Sequence, residues 1–391
     1  MPAPPESLRR GPLRRGVFTS RLRSPWLTAR LGLLLGIAFG TCFVTGLLSH
    51  GIQHPPGWLH WPAHPVVFYR VTQGVHVATG LAAIPLLTAK LWSVYPKLFA
   101  WPPARDVAHA LERAAITVLI AAAWFQLVTG VLDITYWYGA MPFAFIASHF
   151  WGAWLAIGAL LVHLGFKLPI IRNAFARHSQ PAPDLQDPPP PRPGLSRRGL
   201  LGVVGGTVAL ITVATVGQTL RPMTRLSVLA PRVPDIGPQG FPVNTTAIMA
   251  AVTESATDPA YRLVVSGPGK RVELALTDLR AMAQQTIRLP ISCVEGWSAS
   301  ADWTGVRFRD LLQLVGASGA AAVVRSLQQG SASSFSILDA EHADDDLTLL
   351  ALGVGGEPLD IDHGYPCRLI APNRPGTLQT KWVASITAVR S

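Results

Sequence analysis

Charge is scarce in this chain. Only 14% of its 391 residues are charged while 49% are hydrophobic, a balance that points to a membrane. Acidic side chains are the scarcer kind, 22 against 33 basic, for a formal net charge of +11. They are nearly missing from the first 220 residues, which hold 6 acidic and 18 basic residues, or +12; residues 221–391 hold 16 and 15, or −1. The near-neutral second part lacks the basic face that nucleic-acid binding requires, so the basicity needs another explanation. No segment repeats, which excludes a solenoid. Three cysteines allow at most one disulfide, and Cys293 with Cys367 is the pair open to it in an exported domain.

Five apolar segments are present, each long enough to cross about 30 Å of hydrocarbon at about 1.5 Å per helical residue. They are Leu31–Ser49, Val71–Ala89, Ala114–Leu132, Phe145–Phe166 and Gly199–Leu220. The loops between them alternate in Lys and Arg: seven in 1–30, four in 90–113 and six in 167–198, against one in 50–70 and none in 133–148. The positive-inside rule then predicts a multi-pass protein of the cell membrane with a cytoplasmic N-terminus and residues 221–391 outside. Trp58, Trp61 and Trp137 on outer loops and Trp92 and Trp101 on an inner one match interfacial belts.

The chain thus divides into a four-helix membrane domain (1–178), a proline-rich cytoplasmic linker (179–195), an anchor (196–220) and a mixed α+β domain (221–391). The linker is too polar and stiff for a core. Ser196-Arg197-Arg198-Gly199-Leu200-Leu201 resembles a twin-arginine export motif, although two arginines also satisfy the positive-inside rule alone.

Eleven histidines are few, yet two lie 14 residues apart in the fourth segment. His149 and His163 are therefore about 21 Å apart along the helix and about 40° from sharing a face, one near each membrane surface. Imidazole at bilayer depth is costly without a partner. His76, six residues into the second segment, matches His149 in depth. A His-x13-His helix paired with a second-helix histidine resembles the di-haem cytochrome b subunits of formate dehydrogenases and hydrogenases. The resemblance implies one or two haem b groups with both axial positions filled, His76 and His149 ligating the outer one. His163 would serve an inner haem with His109 as the available partner, while His50 and His54 are alternatives at the outer site. His54, His60, His64 and His178 also fit polar contacts of the headgroup region.

The last part centres on Ile291–Leu312, ISCVEGWSASADWTGVRFRDLL. Ile287–Val294 has the pattern of a buried strand ending at Glu295-Gly296, which puts Cys293 where strand meets loop and presents its sulfur. Strands are also expected at Tyr261–Val265, Val323–Leu327, Leu347–Leu352, Arg368–Ile370 and Trp382–Val389. Helices are expected near Leu276–Ala283 and Arg309–Val315, with a coil-like stretch from Arg221 to Thr257. A lone strand cysteine is ordinarily a small buried hydrophobe.

Two ordered motifs change that. CVEGWS with DWTGVRFRDLL resembles the molybdenum-binding stretch of the sulfite oxidase family, and Asp362-His363-Gly364-Tyr365-Pro366-Cys367-Arg368 with Lys381-Trp382 resembles its DHGxPxR…KW signature. The resemblance implies a molybdopterin-dependent oxidoreductase in which Cys293 ligates molybdenum, and in which His363, Arg368 and Lys381 contact the pterin and its phosphate. A soft metal favours a thiolate, and a phosphate needs cationic donors. Cys367 is expected to be a packed strand residue.

One departure bears on the substrate. The family's eukaryotic members carry CAGNRR, with an anion-site arginine five residues after the cysteine, where this chain has Ser298. Arg288, Arg307 and Arg309 are the possible replacements. The expected function is therefore oxygen-atom transfer at an extracytoplasmic molybdenum site, oxidising a small sulfur compound, with electrons passing through haem to or from quinone or a soluble electron-transfer protein. The alternatives are reduction of methionine sulfoxide or another S- or N-oxide, and a molybdenum-free sensing module with a Cys293–Cys367 disulfide.

Overall fold

A computed structural model describes residues 5–6, 20, 22–178, 195–216, 225–230, 232, 236–331 and 334–389; the side chains of 174–178, the expected linker at 179–194 and the end of the anchor at 217–220 lie outside this description. Five long helices come first: α1 Pro25–Gln53, α2 Phe68–Leu98, α3 Val107–Ile134, α4 Phe145–His178 and α5 Arg197–Val216. All five are long and apolar enough to cross a membrane, and each expected segment falls on one of them. Their cores contain almost no acidic or basic side chain, so the caps carry the polarity: Asp106 accepts the N–H of His109 at 2.7 Å at the start of α3, and Ser196 accepts that of Gly199 at 3.0 Å before α5.

The chain forms two compact units, residues 1–44 with 75–214 and residues 45–74 with 215–391. In the first, Leu27, Leu31, Ala83, Leu86, Leu87, Ala123, Leu127 and Val204 form a buried cluster. Leu33, Ile37, Val44, Leu155, Leu161 and Val162 are each at least half exposed, as apolar side chains facing lipid must be. Lys90 Nζ donates to the Thr28 carbonyl at 2.6 Å and Thr28 meets Ser93 at 3.1 Å, joining the start of α1 to the end of α2.

The second unit holds two five-stranded sheets. One has the order β2-β1-β10-β5-β6 and the other β3-β4-β7-β8 with β9 beside β7. The strands are β1 Leu263–Gly267, β2 Lys270–Leu274, β3 Gln284–Ser292, β4 Ser298–Arg307, β5 Ala321–Ser326, β6 Phe335–Leu338, β7 Leu349–Val354, β8 Glu357–Pro358, β9 Arg368–Ile370 and β10 Val383–Val389. Every pairing is antiparallel except β1 with β10. Helices α6 Thr253–Thr257, α7 Leu276–Ala281, α8 Phe308–Leu314 and α9 Ala340–Asp344 connect them. This is the expected mixed α+β fold, with strand ends shifted by at most three residues and β2, β4, β6 and β8 added.

Strand β4 matters most among these. Its sequence, SASADWTGVR, is too polar to announce itself, and it forms because β3 and β7 pair with it on both sides. The expected strand at Ile287–Val294 therefore ends at Ser292, and Cys293 belongs to a hairpin tip. The anchor helix up to residue 214 groups with the first unit, and residues 45–74 group with the C-terminal sheets rather than with the other helices. Hydrogen bonds described below hold them there.

Candidate functional site

The tip joining β3 to β4 is Cys293-Val294-Glu295-Gly296-Trp297. It is closed by Cys293 N–H to the Trp297 carbonyl at 2.9 Å and Gly296 N–H to the Cys293 carbonyl at 3.1 Å. Gly296 has φ +93°, a conformation that side chains disfavour. Below the tip, the hydroxyls of Ser292 and Ser298 meet at 2.9 Å. Cys293 is 6% exposed and packs in one apolar cluster with Trp297, Trp303 and Phe241, so its sulfur is less open than strand-end placement suggested.

That sulfur is nonetheless engaged by polar groups. Asn244 donates through Nδ2 to Cys293 Sγ at 3.1 Å and to Glu295 Oε2 at 2.8 Å, and receives Arg232 Nε at 3.3 Å. Glu295 is only 4% exposed. Asn244 lies in the stretch expected to be featureless coil. Its neighbours serve the second motif: the Thr245 carbonyl accepts from Lys381 Nζ at 2.5 Å, and Ala247 N–H donates to Asp362 Oδ1 at 2.7 Å. Residues 244–247 thus tie the two motifs together, and the polar triplet Asn244-Thr245-Thr246 before an apolar run was the signal for it.

The second motif builds a cationic cradle. A short helical turn, Ile361–His363, is capped by Asp360 and ended by Gly364 at φ +110°. A Cβ on Gly364 would stand 3.1 Å from Arg368 Cβ and 3.2 Å from Lys381 Cβ, so only glycine lets these two residues close in. His363 stacks on Phe241 with ring centres 3.7 Å apart, and its Nε2 donates to the Pro238 carbonyl at 2.6 Å. Arg368 donates to the carbonyls of His363 at 3.0 Å and Gln379 at 3.3 Å, while its buried Nε has no partner. Lys381 also donates to the Asp362 carbonyl at 2.8 Å.

Burial takes these cations out of water and weakens their hold on protons. It lowers Arg368 to about 9. Burial, then the Arg368 charge, lowers Lys381 to about 7 against the opposing pull of Asp362. His363 falls to about 4, chiefly through burial, with Arg368 and Lys381 adding to it. Such a set has its charge restored by an anion.

Residues 249–391 match the family described as an oxidoreductase molybdopterin binding domain. The C-terminal part is a molybdopterin oxidoreductase domain of the sulfite oxidase type. Three curated relatives have names that bear on it. The chain is 31% identical, over 34% of its own length and 50% of the relative's, to YedZ1 of Azospira oryzae, provisionally assigned as a protein-methionine-sulfoxide reductase subunit. It is 30% identical to the MsrP catalytic subunit of a protein-methionine-sulfoxide reductase from Xanthomonas axonopodis, over 28% of this chain and 38% of that one. Mitochondrial sulfite oxidase of Mus musculus is 29% identical over 33% of this chain and 29% of its own. The chain spans between 29% and 50% of the length of these relatives.

The molybdopterin domain fits an anionic pterin cofactor on its own residues. The orphaned Arg368 Nε and Trp297 Nε1 are buried donors awaiting an acceptor, and the buried basic side chains of the cradle match a phosphate. Cys367, by contrast, is fully buried in the other apolar cluster. Its sulfur meets Tyr261 Oη at 3.2 Å, and burial pushes its thiol up to about 12. No disulfide joins the two cysteines, which lie in different clusters, and this removes the disulfide alternative. The three replacement arginines are held elsewhere, Arg288 by Asp302 at 2.9 Å and Arg307 and Arg309 by Asp346 at 3.5 and 2.7 Å.

In the helical unit, His76 and His149 are brought together, ring centres 6.5 Å apart. His76 Nδ1 donates to the Cys42 carbonyl at 2.9 Å. Thr129 spends its hydroxyl proton on the Phe125 carbonyl at 2.7 Å, so it accepts from His149 Nδ1 at 3.0 Å. Both rings therefore keep Nε2 as the lone-pair nitrogen. His163 and His109 are not brought together. Thr129 faces His149 and Glu112 pairs with Lys167, a register that sets His109 about seven residues, or about 10 Å, from the level of His163. His109 is half-buried and its Nδ1 accepts the N–H of Arg105 at 3.2 Å.

Proposed function

We propose that this chain is a membrane-embedded molybdenum reductase of a neutral S-oxide, of which methionine sulfoxide is the representative, fed by quinol through haem b. The observation that carries this is the composition around Cys293. Where the anion-site arginine is expected, Ser298 is locked to Ser292, the neutral amide of Asn244 donates to the sulfur and to Glu295 while accepting from Arg232, and the three candidate arginines are paired with aspartates. With serine at 298, a doubly charged sulfite ion loses the cationic partner that the family's eukaryotic members place there. A neutral S=O dipole needs no such partner. The direction thus differs from the oxidation expected above: a dialkyl sulfoxide takes up two electrons and two protons, its S=O bond breaks, and the products are the dialkyl sulfide and water.

Bound molybdenum supplies two-electron oxygen-atom transfer. Cys293 holds the metal as thiolate, Asn244 orients that sulfur, and His363, Arg368 and Lys381 hold the pterin and its phosphate. His76 and His149 offer two Nε2 atoms to one haem. The offset of His109 from the level of His163 supports one haem rather than two. The loop charges support a molybdopterin domain outside and an N-terminus in the cytoplasm, and Arg197-Arg198 suit export of that domain already folded around its cofactor.

The test is to purify the chain, measure molybdenum and iron per polypeptide, and follow the haem spectrum. Methionine sulfoxide is expected to oxidise prereduced haem, with about one iron and one molybdenum per chain, and His149→Ala to lose the haem while keeping molybdenum. Haem reduction by sulfite, with none of it reoxidised by the sulfoxide, would overturn the direction.

A further inference from the structure

The turn that carries Cys293 is held from outside the molybdopterin domain. Residues 45–74, some 175 positions before the matched region at 249–391, are part of the same compact unit. Asn373 is their anchor. Its backbone carbonyl accepts Trp61 Nε1 at 2.9 Å, its Nδ2 donates to the Pro62 carbonyl at 2.7 Å, and its Oδ1 accepts Tyr69 N–H at 2.7 Å. On the other side of the loop, Ala63 N–H donates to Glu341 Oε1 at 3.0 Å and His64 Nε2 meets Asp345 Oδ2 at 2.8 Å. Trp61 lies flat on Phe68, ring centres 5.0 Å apart, and Val66 packs against the cluster that contains Cys293 and Trp297. Ala63, Tyr69, Gln73 and Asn373 are all buried.

The loop delivers Gln73, on the first turns of α2, to the hairpin tip. Gln73 Nε2 donates to the carbonyl of Val294, the residue after Cys293. Among the described residues, the backbone bonds across the turn run from Cys293 N–H and Gly296 N–H. The Val294 carbonyl takes no part in those bonds, and a buried carbonyl without a donor is costly. Gln73 Oε1 is itself buried without a partner, so the amide is aimed by the Val294 bond alone at that end. The Val294 carbonyl belongs to the peptide unit between Val294 and Glu295, inside the turn that Cys293 N–H and Gly296 N–H close, so holding it holds the tip as one piece and with it the Cys293 Cα–Cβ direction.

We propose that Gln73 is a positioning residue of the molybdenum site: from a membrane-spanning helix it fixes the Cys293–Trp297 tip and so the direction from which the thiolate meets the metal, with Asn373 anchoring the loop that brings it. This rests on the assignment of Cys293 as the thiolate ligand. It makes the molybdopterin domain incomplete without the segment joining the first two helices. The helix that supplies Gln73 also supplies His76.

The test uses the full chain in detergent and reads the metal rather than the turnover. Gln73→Leu keeps the volume and removes the donor; Gln73→Glu keeps the shape and replaces the amide donor by an acceptor. Both are expected to shift the Mo(V) resonance and the thiolate-to-molybdenum absorption band at unchanged molybdenum content, with kcat lowered several-fold and KM little changed. Asn373→Gly is the second variant. Asn373 has φ +51°, so glycine keeps the backbone while removing two of the three bonds, and it should shift both signals in the same sense and open residues 54–66 to protease. Spectra identical to wild type in the Gln73 variants overturn the proposal. Should those variants not accumulate, identical spectra in a protease-sensitive Asn373→Gly protein overturn it equally. Loss of the absorption band in Cys293→Ser tests the ligand assignment separately: if the band persists there, the assignment falls, whatever Gln73 does.

Discussion

Cys293 and Cys367 sit in the same domain, both within motifs and both in apolar surroundings, yet their sulfurs meet opposite conditions. Cys293 lies at a hairpin tip where an amide donates to its sulfur at 3.1 Å, a contact that stabilises developing negative charge. Cys367 lies between β9 and the two-sheet core with Tyr261 and a carbonyl as neighbours, and burial keeps its thiol protonated up to about 12. A thiolate is what molybdenum requires. Apolar packing alone therefore does not separate a ligand from a core cysteine; the donor beside the sulfur does.

Breaking the pair should give the largest effect. Cys293→Ser is expected to abolish molybdenum-dependent turnover while leaving the haem spectrum unchanged. Cys367→Ala should keep turnover and lower stability by about 1–2 kcal/mol, as core trimming does. Thermal unfolding alongside a turnover assay distinguishes the two, and equal loss of turnover in both would erase the contrast.

A second prediction concerns the cradle beside Cys367. Lys381 has a folded pKa of about 7, set first by burial, against about 10.4 unfolded. Between those values the unfolded chain holds a proton that the folded chain has released, so cofactor-free protein should gain stability as pH rises through 7. The gain is at most about 1.4 kcal/mol per pH unit. Lys381→Met should flatten the trend, and so should loading the cofactor, whose phosphate restores the charge. Melting curves from pH 7 to 9 that coincide for cofactor-free wild type and Lys381→Met would remove Lys381 from this role.

The smallest effect is expected from Arg288, Arg307 and Arg309. Their carboxylate partners are half or more exposed, and such pairs contribute about 0–1 kcal/mol. Alanine at each should change turnover with either sulfite or sulfoxide by less than about twofold. A large loss specific to sulfite at any one of them would restore the anion site and reverse the substrate assignment.

Much of this was legible in the chain itself. The five spans follow from runs of apolar residues, which need no partner to be recognised, and the two motifs marked Cys293, His363, Arg368 and Lys381. Strand β4 was not legible, because SASADWTGVR is stabilised by pairing on both edges rather than by its own propensity. Asn244 and Glu295 escaped for a related reason. A lone amide in a loop carries no periodicity, and its role appears only when residue 244 is brought to within 3.1 Å of residue 293.

The sequence by itself determined composition, spans, the order of domains and the type of cofactor, since these depend on local runs and on motifs whose residues lie close along the chain. Tertiary structure alone decided which sulfur has a donor, that His76 rather than His109 acquires a histidine partner, and that a loop between two helices belongs with the sheets. Each of these is a contact between positions 49 to 312 residues apart, and chain folding rather than local preference brings such positions together.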